Sequence, residues 1–239
     1  MKSKHFSLPQ AEAKLYYAES ARHGLTSIAM AGGREPAGKW LQTLLELNPH
    51  AKLYAADKGL KYFLGNNFLP SLVLGDADSA GKELFQEAKA RGCEVLTYPT
   101  EKDETDLQLL LAKLPVGDVL ISGIWGGRYD HLYSNVFSLA NAAQEKLGLV
   151  IMADEKELMF FVKAEEKLEL SFLQEQAVEA ISLLPLTEVT RVSIQGVHWP
   201  LAKEKLHMYK PYAISNVLSE DKQLSCTCHE GMVGLYCCF

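Results

Sequence analysis

Six short, almost wholly apolar runs, separated by stretches with helical spacing, dominate the chain up to residue 154 and restrict its fold more than any other feature. They are "SIAMAGG" (27–33), "AKLYAAD" (51–57), "PSLVLGD" (70–76), "CEVLTYP" (93–99), "DVLISGIWGG" (118–127) and "LGLVIMAD" (147–154). Strands that are apolar at nearly every position are buried on both faces, as in a parallel sheet. "GKWLQTLLEL", "AGKELFQEAKARG", "ETDLQLLLAKL" and "YDHLYSNVFSLANAAQEKLG" lie between them. Each places apolar residues three and four apart, the spacing of a helix with one buried stripe. Strand–helix alternation predicts a doubly wound, mostly parallel α/β domain over residues 1–154.

From residue 155 the rhythm changes. "ELMFFV", "KLELS", "AVEAISLLPL", "VTRVSIQGV", "YAISNVL", "KQLSCTCH" and "MVGLYCC" are short, and turn residues separate them. This pattern predicts an antiparallel β-sandwich or barrel over residues 155–239. The expected fold class is therefore α/β, with a C-terminal all-β domain. Apolar residues make up 48% of the 239 and charged residues 23%, which suits two packed domains and rules out general disorder. A net charge of −6 argues against nucleic acid as a partner. No apolar run nears the roughly 20 residues that span a bilayer, so no membrane association is expected. The first twenty residues lack the continuous apolar core of a secretion signal. Five cysteines, an odd number, fit a reducing compartment, and the expected location is cytoplasmic.

Four polar clusters follow the predicted strands: Asp57 with Gly59, Asp76 with Asp78 and Ser79, "EKDETD" (101–106), and "GGRYDHLYSN" (126–135). Each has an ordinary explanation. Asp-x-Asp after a strand makes turns, and Asp78 or Ser79 can cap the following helix. Acids favour the first turn of a helix, which accounts for "EKDETD". His131 and Asn135, four apart, can hydrogen-bond within a core. In an open parallel sheet, however, all four clusters fall on the carboxyl rim, where ligands bind. Asp57, Asp76, Asp78 and Asp106 gathered there repel one another unless cations neutralise them. Magnesium, which prefers oxygen ligands and bridges carboxylates to phosphates, is the natural candidate. That points to phosphoryl or diphosphoryl transfer, with Arg128 placed to fork phosphate oxygens. No Walker sequence is present.

"AADKGLKYFLGNNFLPSLVLGDADSA", "EKDETDLQLLL" and "GGRYDHLYSNV", in that order, resemble thiamin pyrophosphokinase. "ISLLPL" (181–186), "GVHWPL" (196–201) and "ISN" (214–216) are similar to the β-domain motifs of that family. The resemblance implies transfer of the β,γ-diphosphate of ATP to the hydroxyl of thiamin, with release of AMP. It implies Mg2+ held near Asp57, Asp76, Asp78 and Asp106, with Asp76, Asp78 and Asp106 as catalytic candidates. Gly59, Ser79, Thr105, Arg128, Asp130 and His131 would lie among the ATP and phosphate contacts. Ser215 and Asn216, with Trp199 as a neighbour, would be on the thiamin side. A homodimer would place thiamin between the α/β domain of one subunit and the β-domain of the other.

The chain departs from the family at "DKGLK" (57–61), where the family has Asp-Gly-Gly-Ala-Asn. Lys58 and Lys61 replace a glycine and an asparagine, and either add phosphate contacts or face solvent. Two rival functions stay open: a pterin-alcohol pyrophosphokinase on the same scaffold, and a non-catalytic binder of thiamin or nucleotide. Retention of all four acidic positions argues against the second. Cys226, Cys228, Cys237, Cys238 and His229 make zinc conceivable, but their spacing is not that of a Cys-x-x-Cys pair, and core cysteines are common in strands. "AGGREP" (31–36) lacks the full glycine signature of a dinucleotide site.

Overall fold

A computed structural model describes residues 1–18, 25–76, 81–175, 177–210 and 212–239. Two compact units emerge: Leu25–Asp154, and Met1–Gly24 together with Glu155–Phe239. The chain opens with a hairpin, β1 (Lys2–Ser7) and β2 (Ala11–Tyr17). Residues 1–17 were expected in the α/β domain, but they pair elsewhere. Alternate residues of β2 are buried, the period-two pattern of a strand with one dry face rather than of a doubly covered parallel strand.

The α/β unit follows in strict alternation. Its strands are β3 (Leu25–Met30), β4 (Lys52–Ala56), β5 (Leu72–Gly75), β6 (Glu94–Thr97), β7 (Asp118–Ser122) and β8 (Val150–Ala153). The intervening helices are α1 (Gly38–Leu47), α2 (Gly59–Gly65), α3 (Lys82–Ala90), α4 (Asp106–Lys113) and α5 (Tyr129–Glu145). All strand pairs are parallel, in the order β6-β5-β4-β3-β7-β8. The order reverses beside β3, so the connections from β3 and β7 run to opposite sides of the sheet, the switch point at whose carboxyl rim ligands bind. All six strands and four of the five helices match the sequence reading. The short α2 is additional: it buries Leu60, Tyr62 and Phe63 within seven residues, too few for a periodic signal. Leu41 and Leu44 of α1 and Leu110 of α4 have no solvent exposure. Each such side chain contributes about 1.5–3 kcal/mol.

The second unit comprises β9 (Glu157–Lys163), β10 (Glu166–Phe172), β11 (Ala180–Pro185), β12 (Val189–Gln195), β13 (Leu201–His207), β14 (Gln223–Glu230) and β15 (Met232–Cys238). Every pair within it is antiparallel. One sheet runs β1-β2-β10-β14-β12-β13, and its hairpin joins through Leu15 opposite Leu168 and Ala13 opposite Leu170. A second layer, β11-β15-β9, packs β9 and β15 against β10, β12 and β14. "YAISNVL", expected as a strand, forms only isolated bridges, Ile181 to Asn216 and Val197 to Leu218. β13 went unread because it is an edge strand with only Leu206 buried, so it carries little apolar alternation. Among the described residues no helix is long and apolar enough to cross a membrane.

Candidate active site

The loops leaving β3 and β7 continue to bond past the ends of their strands. Ala31 N donates to Ser122 O at 2.9 Å, Gly33 N to Gly123 O at 2.6 Å, and Arg34 N to Trp125 O at 2.5 Å. Tyr62 of α2 donates its hydroxyl to Gly33 O at 2.7 Å. Arg34 donates Nε and Nη2 to Asp154 Oδ2 at 2.9 and 2.6 Å, and Asp154 is fully buried. This bracing sets one wall of a cleft of about 540 Å³. The cleft is lined by Gly32, Gly33, Asp57, Lys58, Asp76, Lys102, Thr105, Asp106, Arg128 and His131, among others.

Three of the four expected acids line this cleft: Asp57 and Asp76 follow the ends of β4 and β5, and Asp106 opens α4. Asp57 directly follows β4 with φ of +49°, and its N–H donates to Leu74 O at 2.8 Å. A Cβ on Gly75 would stand 3.2 Å from Asp57 Cα, so the exit of β5 lies against Asp57 and delivers Asp76 beside it. Asp106 is the first residue of α4 and sits 3.1 Å from Lys102 Nζ. Burial pushes the Asp106 carboxyl above the usual carboxylate range; Lys102 opposes that shift, and the charges of Asp57 and Asp76 add to it. The three acids therefore share one electrostatic field. Asp78 and Ser79 lie outside the described residues. Among the described residues, no three acidic, His or Cys side chains already stand at metal-binding distances. The donor set, carboxylate oxygens whose mutual repulsion is registered at Asp106, fits a hard cation such as magnesium.

Gly126 and Gly127, at φ of +77° and +74°, turn the chain into α5 and place Arg128 at its N-cap. The guanidinium forks Asp130: Nε donates to Oδ1 at 3.1 Å and Nη2 to Oδ2 at 2.5 Å. Arg128 holds the Asp130 carboxyl below its usual range. Arg128 and His131 line the cleft, whereas Asp130 is the partner of Arg128 and does not form its wall. Gly59 also stands behind the wall, against the Met30 carbonyl. Thr105 caps α4: its Oγ1 accepts from Gln108 N at 3.2 Å, and Gln108 Oε1 accepts from Thr105 N at 2.8 Å. The bracing residues Tyr62, Arg34 and Asp154 were not singled out from sequence. Lys102 was legible in principle, since it precedes Asp106 by four residues.

A second cleft, of about 290 Å³, lies within the antiparallel unit, bounded by Trp199, Tyr212 and Asn216 over Ile181, Leu183 and Leu201. Asn216 Oδ1 accepts from Trp199 N at 3.1 Å and Val217 N at 2.9 Å, and its Nδ2 donates to Trp199 O at 2.8 Å. Ser215, at φ of +57°, donates its N–H to Ser182 Oγ at 3.1 Å and does not line the cleft. Cys226, Cys228 and Cys237 are buried core thiols; burial pushes Cys228 up to about 12 and the other two further. Neutral thiols at such positions are apolar packing groups, and the zinc conceivable from sequence has no site among the described residues.

Residues 44–151 match the family description "Thiamin pyrophosphokinase, catalytic domain", and residues 167–233 match "Thiamin pyrophosphokinase, vitamin B1 binding domain". The chain is similar to thiamine pyrophosphokinase of Bacillus subtilis, 26% identical over 175 residues, covering 71% of this chain and 79% of that protein. Thiamine pyrophosphokinase 1 of Arabidopsis thaliana is 21% identical over 167 residues, 66% of this chain and 61% of the relative. The crystal structure of the Bacillus subtilis enzyme superposes with a TM-score of 0.73 at 21% identity, over 89% of this chain and 98% of that one. That of thiamin pyrophosphokinase from Candida albicans gives 0.70 at 13% identity, over the whole of both chains. These structural likenesses show the fold.

Proposed function

Because the chain belongs to the thiamin pyrophosphokinase family and is an enzyme of that class, we propose that the cleft on the carboxyl rim holds ATP and directs its diphosphate to the hydroxyl of thiamin. The observation that carries this reading is the arrival of Asp57, Asp76 and Asp106 in one cleft that Arg128 also lines. The hydroxyl oxygen attacks the β-phosphorus in line. The bond from that phosphorus to the oxygen of the α-phosphate breaks, and AMP leaves with the electron pair. A carboxylate, Asp76 or Asp106 of the cleft or the Asp78 expected from sequence, takes the hydroxyl proton. Arg128 exchanges its fork on Asp130 for phosphate oxygens, a geometry a guanidinium offers to either anion. Gly32, which stands beside Lys58 and Asp57, has no side chain to bar phosphates from the loop, while Gly33 lets the loop pack against the carbonyls of Gly123 and Trp125.

Asp57, Asp76 and Asp106, with Asp78 as the fourth acid expected from sequence, would hold the magnesium. When bound, it neutralises charge on the transferred phosphates. Trp199 and Asn216, with Ser215 behind them, are read as the thiamin side. The second cleft supports that reading, since its apolar floor and polar edge suit a small heterocycle. The homodimer implied by the family is part of the same reading. It is supported by the exposed Trp199, Tyr212, Ile214 and Val217 around that cleft. A reducing, cytoplasmic setting is supported by five free thiols.

The test is to incubate the protein with ATP, Mg2+ and thiamin and to follow AMP and thiamin diphosphate. Asp76→Asn is expected to lower turnover by about 100-fold or more, the scale for losing one charge-stabilising group, with little change in melting temperature. Near-normal turnover in that variant would remove Asp76 from the mechanism. Turnover only with a pterin alcohol would point to the related activity, and binding without AMP release to a non-catalytic binder.

A further inference from the structure

Among the described residues, three cationic side chains line the cleft, and two are already committed to carboxylates: Lys102 to Asp106, and Arg128 to Asp130. The third, Lys58, is exposed, and its ammonium makes no hydrogen bond or ion pair among the described residues. Its backbone is nevertheless fixed. Lys58 has helical φ of −56° at the start of α2, and its carbonyl accepts from Lys61 N at 3.0 Å. Its stem begins beside the glycine loop: a Cβ on Gly32 would lie 3.3 Å from Lys58 Cβ and 3.7 Å from Asp57 Oδ2. Lys61, three residues on, does not line the cleft. The two lysines of "DKGLK" therefore differ: Lys58 faces the cleft, and Lys61 stands outside it.

An anion resting beside Gly32 would meet Lys58 without displacing a partner of its ammonium, whereas Lys102 and Arg128 must each release a carboxylate. A lysine is a compact charge on a flexible stem, able to follow a chain of phosphates rather than fork one group. We propose that Lys58 is a specificity-determining contact for the polyphosphate end of the donor, so that its contribution grows with the number of phosphates. The proposal rests on the cleft being the ATP site. Without Lys58, the neighbouring acids Asp57 and Asp76 would face the polyphosphate with one positive charge fewer beside them.

The experiment measures equilibrium binding of ATP, ADP and AMP to the intact protein by calorimetry with Mg2+ present, for the parent, Lys58→Ala and Lys58→Arg. Lys58→Ala is expected to weaken ATP by about tenfold, the scale of a charge-assisted contact, ADP by less, and AMP by under about twofold. Lys58→Arg should restore most of the ATP affinity. Equal loss for ATP and AMP, or unchanged ATP affinity, would overturn the proposal. AMP release from ATP and thiamin is followed in parallel. Failure of the parent reaction then shows as binding without turnover, while the ATP-to-AMP difference still decides the role of Lys58.

Discussion

A methyl group added at Gly59 would sit 2.0 Å from the Met30 carbonyl oxygen, a contact that no rotamer can relieve because both atoms belong to the backbone framework. Gly59 therefore lets α2 start directly against the end of β3. The turn that precedes it holds Asp57 at φ of +49°, a conformation aspartate tolerates better than most residues. Gly59→Ala is expected to destabilise the protein by about 1–3 kcal/mol, the usual cost of overpacking, and to lower turnover by displacing Asp57. Denaturant titration and steady-state rates check both. The sequence placed Gly59 at the site because of its motif; its physical role, close packing behind the wall, needed the position of Met30. Asp130 is similar: the motif marks it, yet it accepts hydrogen bonds from the Arg128 guanidinium and the His131 N–H.

At the scale of elements, α4 is the clearest case of local chemistry dictating local structure. Thr105 and Gln108 form a reciprocal capping box, and Asp106 occupies the first turn, where a negative charge suits the helix dipole. Leu107, Leu110 and Leu111 then bury one face. Thr105→Ala is expected to cost about 1 kcal/mol through loss of the cap, read as a lowered denaturation midpoint. Thr105→Ser, which keeps the hydroxyl, should lie within about 0.5 kcal/mol of the parent. The same contrast in ATP affinity separates a phosphate contact by the hydroxyl from a purely structural cap. Elements with strong periodicity or near-continuous apolar runs were legible in advance. α2 is too short to show a period, and β13, exposed along most of its length, has no buried face to pattern its sequence.

At the scale of the whole molecule, the five cysteines divide sharply by environment. Cys93, Cys226, Cys228 and Cys237 are buried, and Cys238 is partly exposed. Burial raises the first four thiols, so they are protonated at neutral pH and shielded as well. A soluble thiol reagent should label Cys238 alone under native conditions and all five after denaturation; mass spectrometry of the labelled peptides checks the assignment. Rapid native labelling of Cys226 or Cys228 would contradict the packed core of β14. The first hairpin is the feature most remote from local signals. Its alternation shows that β1 and β2 have one dry face, but not which sheet supplies the cover, and β10 lies about 150 residues downstream. The sequence by itself determined the α/β alternation, the later change to antiparallel strands, and the acidic motifs after successive strands, because periodicity and turn chemistry act over a few residues. Only the tertiary structure decided that the hairpin joins β10, that Lys58 faces the cleft while Lys61 does not, and that Arg34 braces the rim through Asp154. Each of these depends on contacts between segments far apart in the chain, which no local pattern encodes.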